Sequence, residues 1–155
     1  MMMRNYVLAI LLAVLSFIAA ALFCGGMLGV YVDLLNVFLI IIFPLAYQWI
    51  LFGKNFAKTA FWAPFKKEPS LGELTKSQVF FKSYRKVTWI TALIVIIIAL
   101  VAMLHFLEDR SALGPTISLA FLGMLYAGLI DILVIVPYNI FLKKRMILLD
   151  EEIQV

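Results

Sequence analysis

A chain of 155 residues that is 65% hydrophobic, with a mean hydropathy of +1.08, is excluded from being a water-soluble domain. Its net charge of +4 does not point to nucleic acid, because the basic residues are sorted by position along the chain rather than gathered in one patch. Four apolar stretches, 5–31, 34–53, 87–107 and 113–142, reach the roughly 20 residues that a helix needs to cross a bilayer core, and they leave no room for a globular domain. The expected fold is an all-α membrane protein: one membrane domain of four transmembrane helices, with a short amphipathic loop at 54–86.

In the first stretch, Arg4 and the small residues Ala19, Ala20 and Ala21 also match a cleaved signal. The stretch is read here as the first transmembrane helix. Cys24 is the only cysteine, so no internal disulfide forms, and bulky Phe23 before it argues against a lipoprotein site. Gly25, Gly26 and Gly29 fit either a close helix crossing or a loosened helix end. Asp33 then fits either an ion-entry acid or a cap on the next helix. The second span contains Pro44, which removes a backbone donor and predicts a kink or hinge. Gln48 and Trp49 close it at the boundary, where Trp is common.

The loop at 54–86 divides at Pro69. Its first part places Phe56, Ala60, Phe61 and Phe65 against lysines, including Lys66 and Lys67. That spacing predicts an amphipathic helix lying on the membrane surface, in contact with lipid. Ser70 and Glu73 form a capping box that starts the second part, which runs on into the third span. Phe80, Phe81 and Tyr84 there sit beside Lys82, Arg85 and Lys86, a pattern that fits an anionic-lipid or protein contact as well as a snorkelling interfacial belt. In the third span the polar groups are Thr88 and Thr91, whose hydroxyls are expected to bond their own backbone. His105, the one histidine, stands near its far end.

The fourth stretch opens on Gly114 and Pro115, runs apolar to Val136, meets Pro137, and closes on Lys143, Lys144 and Arg145. Ala120, Gly123, Ala127 and Gly128 leave room for a neighbouring helix. Asp131 interrupts the run. An acid at the centre of a membrane helix costs roughly 2.5–3.5 kcal/mol on insertion scales, so it is a functional candidate by default. It lies about two turns after Met124, on the same face, and needs a cation or several donors. Lys143 to Arg145 are roughly 18 Å away along the helix, so Tyr126, Thr88 or Thr91 of a neighbouring helix are the expected donors.

All but one of the 13 Lys and Arg residues precede the first span, lie in the 54–86 loop or follow the fourth span; Arg110 is the exception. By the positive-inside rule both termini and the long loop are cytoplasmic, and Asp33 and the turn at Glu108 to Ser111 face outward. With one histidine, one cysteine and one intramembrane acid there is no catalytic set, no metal-ligand cluster and no cofactor motif, so an enzyme is not expected.

The order of these features resembles the MotA/TolQ/ExbB proton-channel family, in its MotA-like branch. The likeness is carried by Gly25-Gly26-Met27-Leu28-Gly29 through Asp33-Leu34 to Gly53, by the stretch from Phe80 to Leu107, and by Leu113-Gly114-Pro115 through Gly123-Met124-Leu125-Tyr126-Ala127 to Pro137. The large cytoplasmic domain of that branch has no counterpart, since only 54–86 separates the second and third spans. The resemblance implies a bacterial inner-membrane protein, a homopentameric ring lined by the third and fourth spans, and a single-helix partner of the MotB/TolR/ExbD type that supplies the essential carboxylate. It implies the channel-forming subunit of a small proton- or sodium-driven motor, with Asp131, Met124, Tyr126, Ala127, Thr88 and Thr91 as ion-pathway candidates and Pro44 and Pro137 as hinges. At the family's pore-facing hydroxyl position this chain has Met124. The alternatives are a small proton-coupled secondary transporter, or a structural membrane subunit that conducts nothing.

Overall fold

The computed structural model describes residues 2–23, 28–105 and 110–154, which are almost entirely helical and contain no strand. Helix α1 is Met2–Phe23, followed by a 3-10 turn at Leu28–Tyr31. Helix α2, Leu34–Phe52, has a π-helical turn at Val37–Ile42. Helix α3, Lys54–Trp62, ends in the 3-10 turn Ala63–Phe65. Helix α4 is Leu71–His105. Helix α5 comprises Arg110–Ile130 and Val136–Gln154, joined by the π-helical turn Asp131–Ile135. Cys24, Gly25, Gly26, Glu108 and Asp109 lie outside the described residues, and with them the glycine crossing and most of the turn expected at Glu108 to Ser111.

Among the described residues, three helices are long and apolar enough to cross a membrane: α2, α4 and the Leu113–Glu151 part of α5. Four were expected. α1 comprises Met2–Phe23, the 3-10 turn Leu28–Tyr31 comes after it, and its described apolar part is Val7–Phe23, so the fourth span expected over 5–31 is not shown. α1 packs on α5 around the second π turn.

Both π turns have the same local cause. Each ends two residues before a proline, Ile42 before Pro44 and Ile135 before Pro137. A proline ring clashes with the carbonyl one turn back and offers no amide hydrogen, and widening the preceding turn relieves both problems. Tyr84 donates from α4 to the Ile41 carbonyl of α2 at 3.3 Å, beside the first of these turns. The two expected hinge prolines are thus both sites of irregular helix.

α4 and α5 form the central hairpin. At 1.5 Å per residue the 35 residues of α4 extend roughly 50 Å, well beyond an approximately 30 Å hydrocarbon core. The excess lies at the end that carries the basic residues, called here the basic end. There the two helices hold a small core of their own. Leu74, Phe80 and Phe81 of α4, Tyr138 and Leu142 of α5, and Ala57 and Ala60 of α3 are all buried. Phe61 stacks edge-on against Phe80 and Phe81 at 5.4 and 5.2 Å.

This revises the expected surface helix. The apolar face formed by Phe56, Ala60 and Phe61 covers α4 and α5 rather than lying wholly on lipid. Only its margin stays open: Trp62 and Phe65 are each 63% exposed, with Lys66 and Lys67 beside them. The Pro69 break and the capping box appear as expected. Ser70 Oγ accepts from Glu73 N at 3.2 Å, and a Glu73 carboxylate oxygen accepts from Ser70 N at 3.3 Å.

α3 is also pinned by hydrogen bonds. Ser77 and Tyr138 donate their hydroxyls to the Ala60 carbonyl. Arg145 donates to the carbonyls of Pro64, Lys66 and Lys67, closing the end of the 3-10 turn. Arg145→Gln loses this clasp while keeping an amide donor. Trypsin cleavage after Lys66 and Lys67 in the folded protein is expected to accelerate about tenfold, the equivalent of about 1.4 kcal/mol of local opening. An unchanged cleavage rate refutes the clasp.

Candidate functional site

The site forms where Asp131, first residue of the second π turn, meets α4. Arg85 and Trp89 are one helical turn apart and so share a face of α4. Both aim at one carboxylate oxygen of Asp131. Arg85 donates to Oδ2 through Nε at 2.9 Å and Nη2 at 2.8 Å, and Trp89 Nε1 donates to the same oxygen at 3.2 Å. The Asp131 side chain is 10% exposed and that of Arg85 52%. The other oxygen, Oδ1, is buried and receives no donor among the described residues.

The donors are therefore Arg85 and Trp89 and not the expected hydroxyls. Thr91 donates to Val87 O of its own helix at 2.9 Å, as membrane-helix threonines commonly do. Thr88 is fully buried, and its hydroxyl bonds neither Asp131 nor the backbone of its own helix. Tyr126 works at the far end of the bundle. Its hydroxyl donates to Tyr31 O at 2.7 Å and accepts from Asp33 N at 3.0 Å.

Of the two readings of Asp33, the structure shows the cap. Its carboxylate accepts from Leu35 N at 2.8 Å and from Asn36 Nδ2 at 3.1 Å. Asn36 Nδ2 also donates to Leu119 O of α5 at 3.1 Å, so the start of α2 is tied to α5 by side chains. Ala127 is fully buried with Ile40, Ala92 and Val95, on the side of the hairpin that α2 covers. Met124 is on the opposite, open side, 47% exposed. It lines an apolar cleft between α4 and α5 together with Ile96, Ala99, Leu100 and Ala120. The six ion-pathway candidates are thus dispersed; Met124, Ala127 and Asp131 all lie against α4, Met124 at the open cleft, Ala127 in the core that α2 covers and Asp131 on Arg85.

Chemically, the arrangement holds a carboxylate by two charge-assisted hydrogen bonds and an indole, and this compensates its charge where α5 leaves the apolar run. No group of three or more His, Cys, Asp or Glu side chains suited to a metal ion occurs among the described residues.

No protein-family model matches the chain, and neither a curated protein nor a solved structure matches it.

Proposed function

We propose that this chain is the channel-forming subunit of a small proton- or sodium-driven membrane motor of the MotA/TolQ/ExbB kind, in which copies of it surround a single-helix partner. The observation that supports this reading is the engagement of Asp131 by Arg85 and Trp89. The Asp131 carboxylate is already engaged by Arg85 and Trp89, so this reading gives Asp131 a structural role and puts the working acid on another chain. In this reading α1 completes four spans, both termini are cytoplasmic, and α4 and α5 line the centre of a pentamer in a bacterial inner membrane. The α3-covered extension of the hairpin takes the place of the large cytoplasmic domain.

The test uses the full chain, purified in mild detergent and then reconstituted with a pH-sensitive dye inside the vesicles. Native mass spectrometry is expected to give a pentamer, and the chain alone is expected to pass no protons. With a co-purifying single-helix protein present, proton flux is expected to survive Asp131→Asn. A monomer that carries protons unaided, and loses that activity on Asp131→Asn, overturns the proposal in favour of a transporter.

A further inference from the structure

The open side of the α4–α5 hairpin has the form of an amphiphile site. On α4, Lys82, Arg85, Trp89, Ile96, Leu100 and Met103 follow one another at helical spacing along the flank that faces α5. The stripe is cationic at the basic end and apolar beyond it. Ile96, Leu100 and Met103 form one wall of the cleft; Ile117, Ala120, Phe121 and Met124 of α5 form the other. Between the cationic mouth and the cleft stands Trp89, partly exposed, with its indole nitrogen turned to Asp131.

Dimensions narrow the occupant. The cleft measures about 170 Å³ and, apart from the Thr116 hydroxyl, is lined by apolar side chains of α4 and α5. The cleft therefore suits a hydrocarbon chain. Asp131 and Met124 are seven residues apart, roughly 10 Å along α5, and a single leaflet is about 15 Å deep, half of a bilayer core. A lipid whose head group sits at the level of Asp131 thus reaches the cleft with its tail. Charge narrows it further. Asp131 offsets Arg85, but Lys82 and Lys86 on the same turns of α4 are exposed and engage no carboxylate among the described residues, so the mouth keeps a net positive charge. Arg85, half exposed, spends Nε and Nη2 on Asp131, and its remaining guanidinium donors are of the kind that suits a phosphate.

We propose that this groove binds an anionic phospholipid, with the phosphate on Arg85 and Lys82 and one acyl chain passing Trp89 into the α4–α5 cleft. The Asp131 contact then fixes the Arg85 side chain so that its free edge faces the head group. The lipid would fill an apolar surface on the subunit that the protein itself leaves open, independently of whether the assembly conducts ions.

The test reads Trp89 fluorescence in the full chain carrying Trp49→Phe and Trp62→Phe, reconstituted in phosphatidylcholine nanodiscs. The probe is phosphatidylglycerol with brominated acyl chains, compared with phosphatidylcholine brominated in the same way. Saturable quenching is expected at a phosphatidylglycerol fraction about tenfold lower than for phosphatidylcholine. Lys82→Gln, which leaves the ion pair intact, is expected to reduce that preference about threefold. Arg85→Gln with Asp131→Asn is expected to abolish it. Ala120→Phe, which fills the cleft, is expected to reduce quenching while the preference remains. Equal quenching by the two lipids, or a preference unmoved by both head-group variants, overturns the proposal. So does a co-purifying helical protein that shields Trp89 from both lipids.

Discussion

Arg85→Ala is expected to destabilise the α4–α5 hairpin by about 2–4 kcal/mol, more than Asp131→Ala does. Removing one member of a buried ion pair typically costs about 3–5 kcal/mol, because the survivor stays buried without its partner. The figure is set lower here because the Arg85 side chain is half exposed. The asymmetry follows from the same exposures. Without Arg85, the carboxylate of Asp131 is left 10% exposed with a single indole donor. Without Asp131, the long Arg85 stem can carry its guanidinium out to the interface, and the loss is expected to be about 1 kcal/mol. Replacing both by apolar residues of similar volume, Arg85→Met with Asp131→Leu, is expected to recover most of the lost stability. Reversible unfolding of the four forms in mixed micelles gives the coupling energy directly. Additive single effects, with coupling near zero, make the contact an ordinary surface pair and remove Asp131 from the core of the hairpin.

That pair marks where the sequence stopped being legible. The cost of Asp131 in an apolar run was readable at once, and so was its need for a cation. The cation was not, because Arg85 belongs to a basic cluster that reads as a loop. Register around the hairpin supplies the missing signal: Arg85 lies 20 residues before the end of α4 at His105, and Asp131 lies 21 after the start of α5 at Arg110. Two antiparallel helices of equal rise bring such positions level.

Local chemistry was the more readable part. The Pro69 break, the Ser70 and Glu73 capping box and the self-bonded Thr91 all depend on neighbours a few residues away, and all appear. α3 was harder, because an amphipathic face carries the same spacing whether it meets lipid or protein. Phe61 meets Phe80 and Phe81, while Phe65 remains open. The apolar composition of 5–31 likewise says nothing of the 3-10 turn at Leu28–Tyr31. The π turns at Val37–Ile42 and Asp131–Ile135 are responses of the backbone to Pro44 and Pro137, which the sequence announces only as kinks.

Gly123 carries the second large effect, and its cause is a crossing of three helices. A Cβ at this position would lie 3.0 Å from Asn36 Oδ1 of α2 and 3.4 Å from Val95 Cγ1 of α4, with Ile40 Cδ1 at 3.9 Å. The nearest of these cannot easily retreat. Asn36 is 1% exposed, and its amide nitrogen is held by both Asp33 Oδ2 and Leu119 O. In Gly123→Ala, the gain in helix propensity, about 1 kcal/mol, opposes a shift of a few tenths of an ångström, and the net loss is expected to stay below about 1 kcal/mol. Gly123→Val adds two methyl groups beyond that Cβ and is expected to cost about 3 kcal/mol, at the upper end for overpacking a tight core. Shortening the obstructing side chain, Asn36→Ala, is expected to relieve the Gly123→Ala defect although it is harmful alone, since it also removes the tie to Leu119 O. Unfolding midpoints of the four combinations measure this, together with the spin-label distance between exposed Leu34 on α2 and Phe121 on α5, which should lengthen in Gly123→Val. A valine variant as stable as the parent, with that distance unchanged, means that α2 does not cross α5 at Gly123.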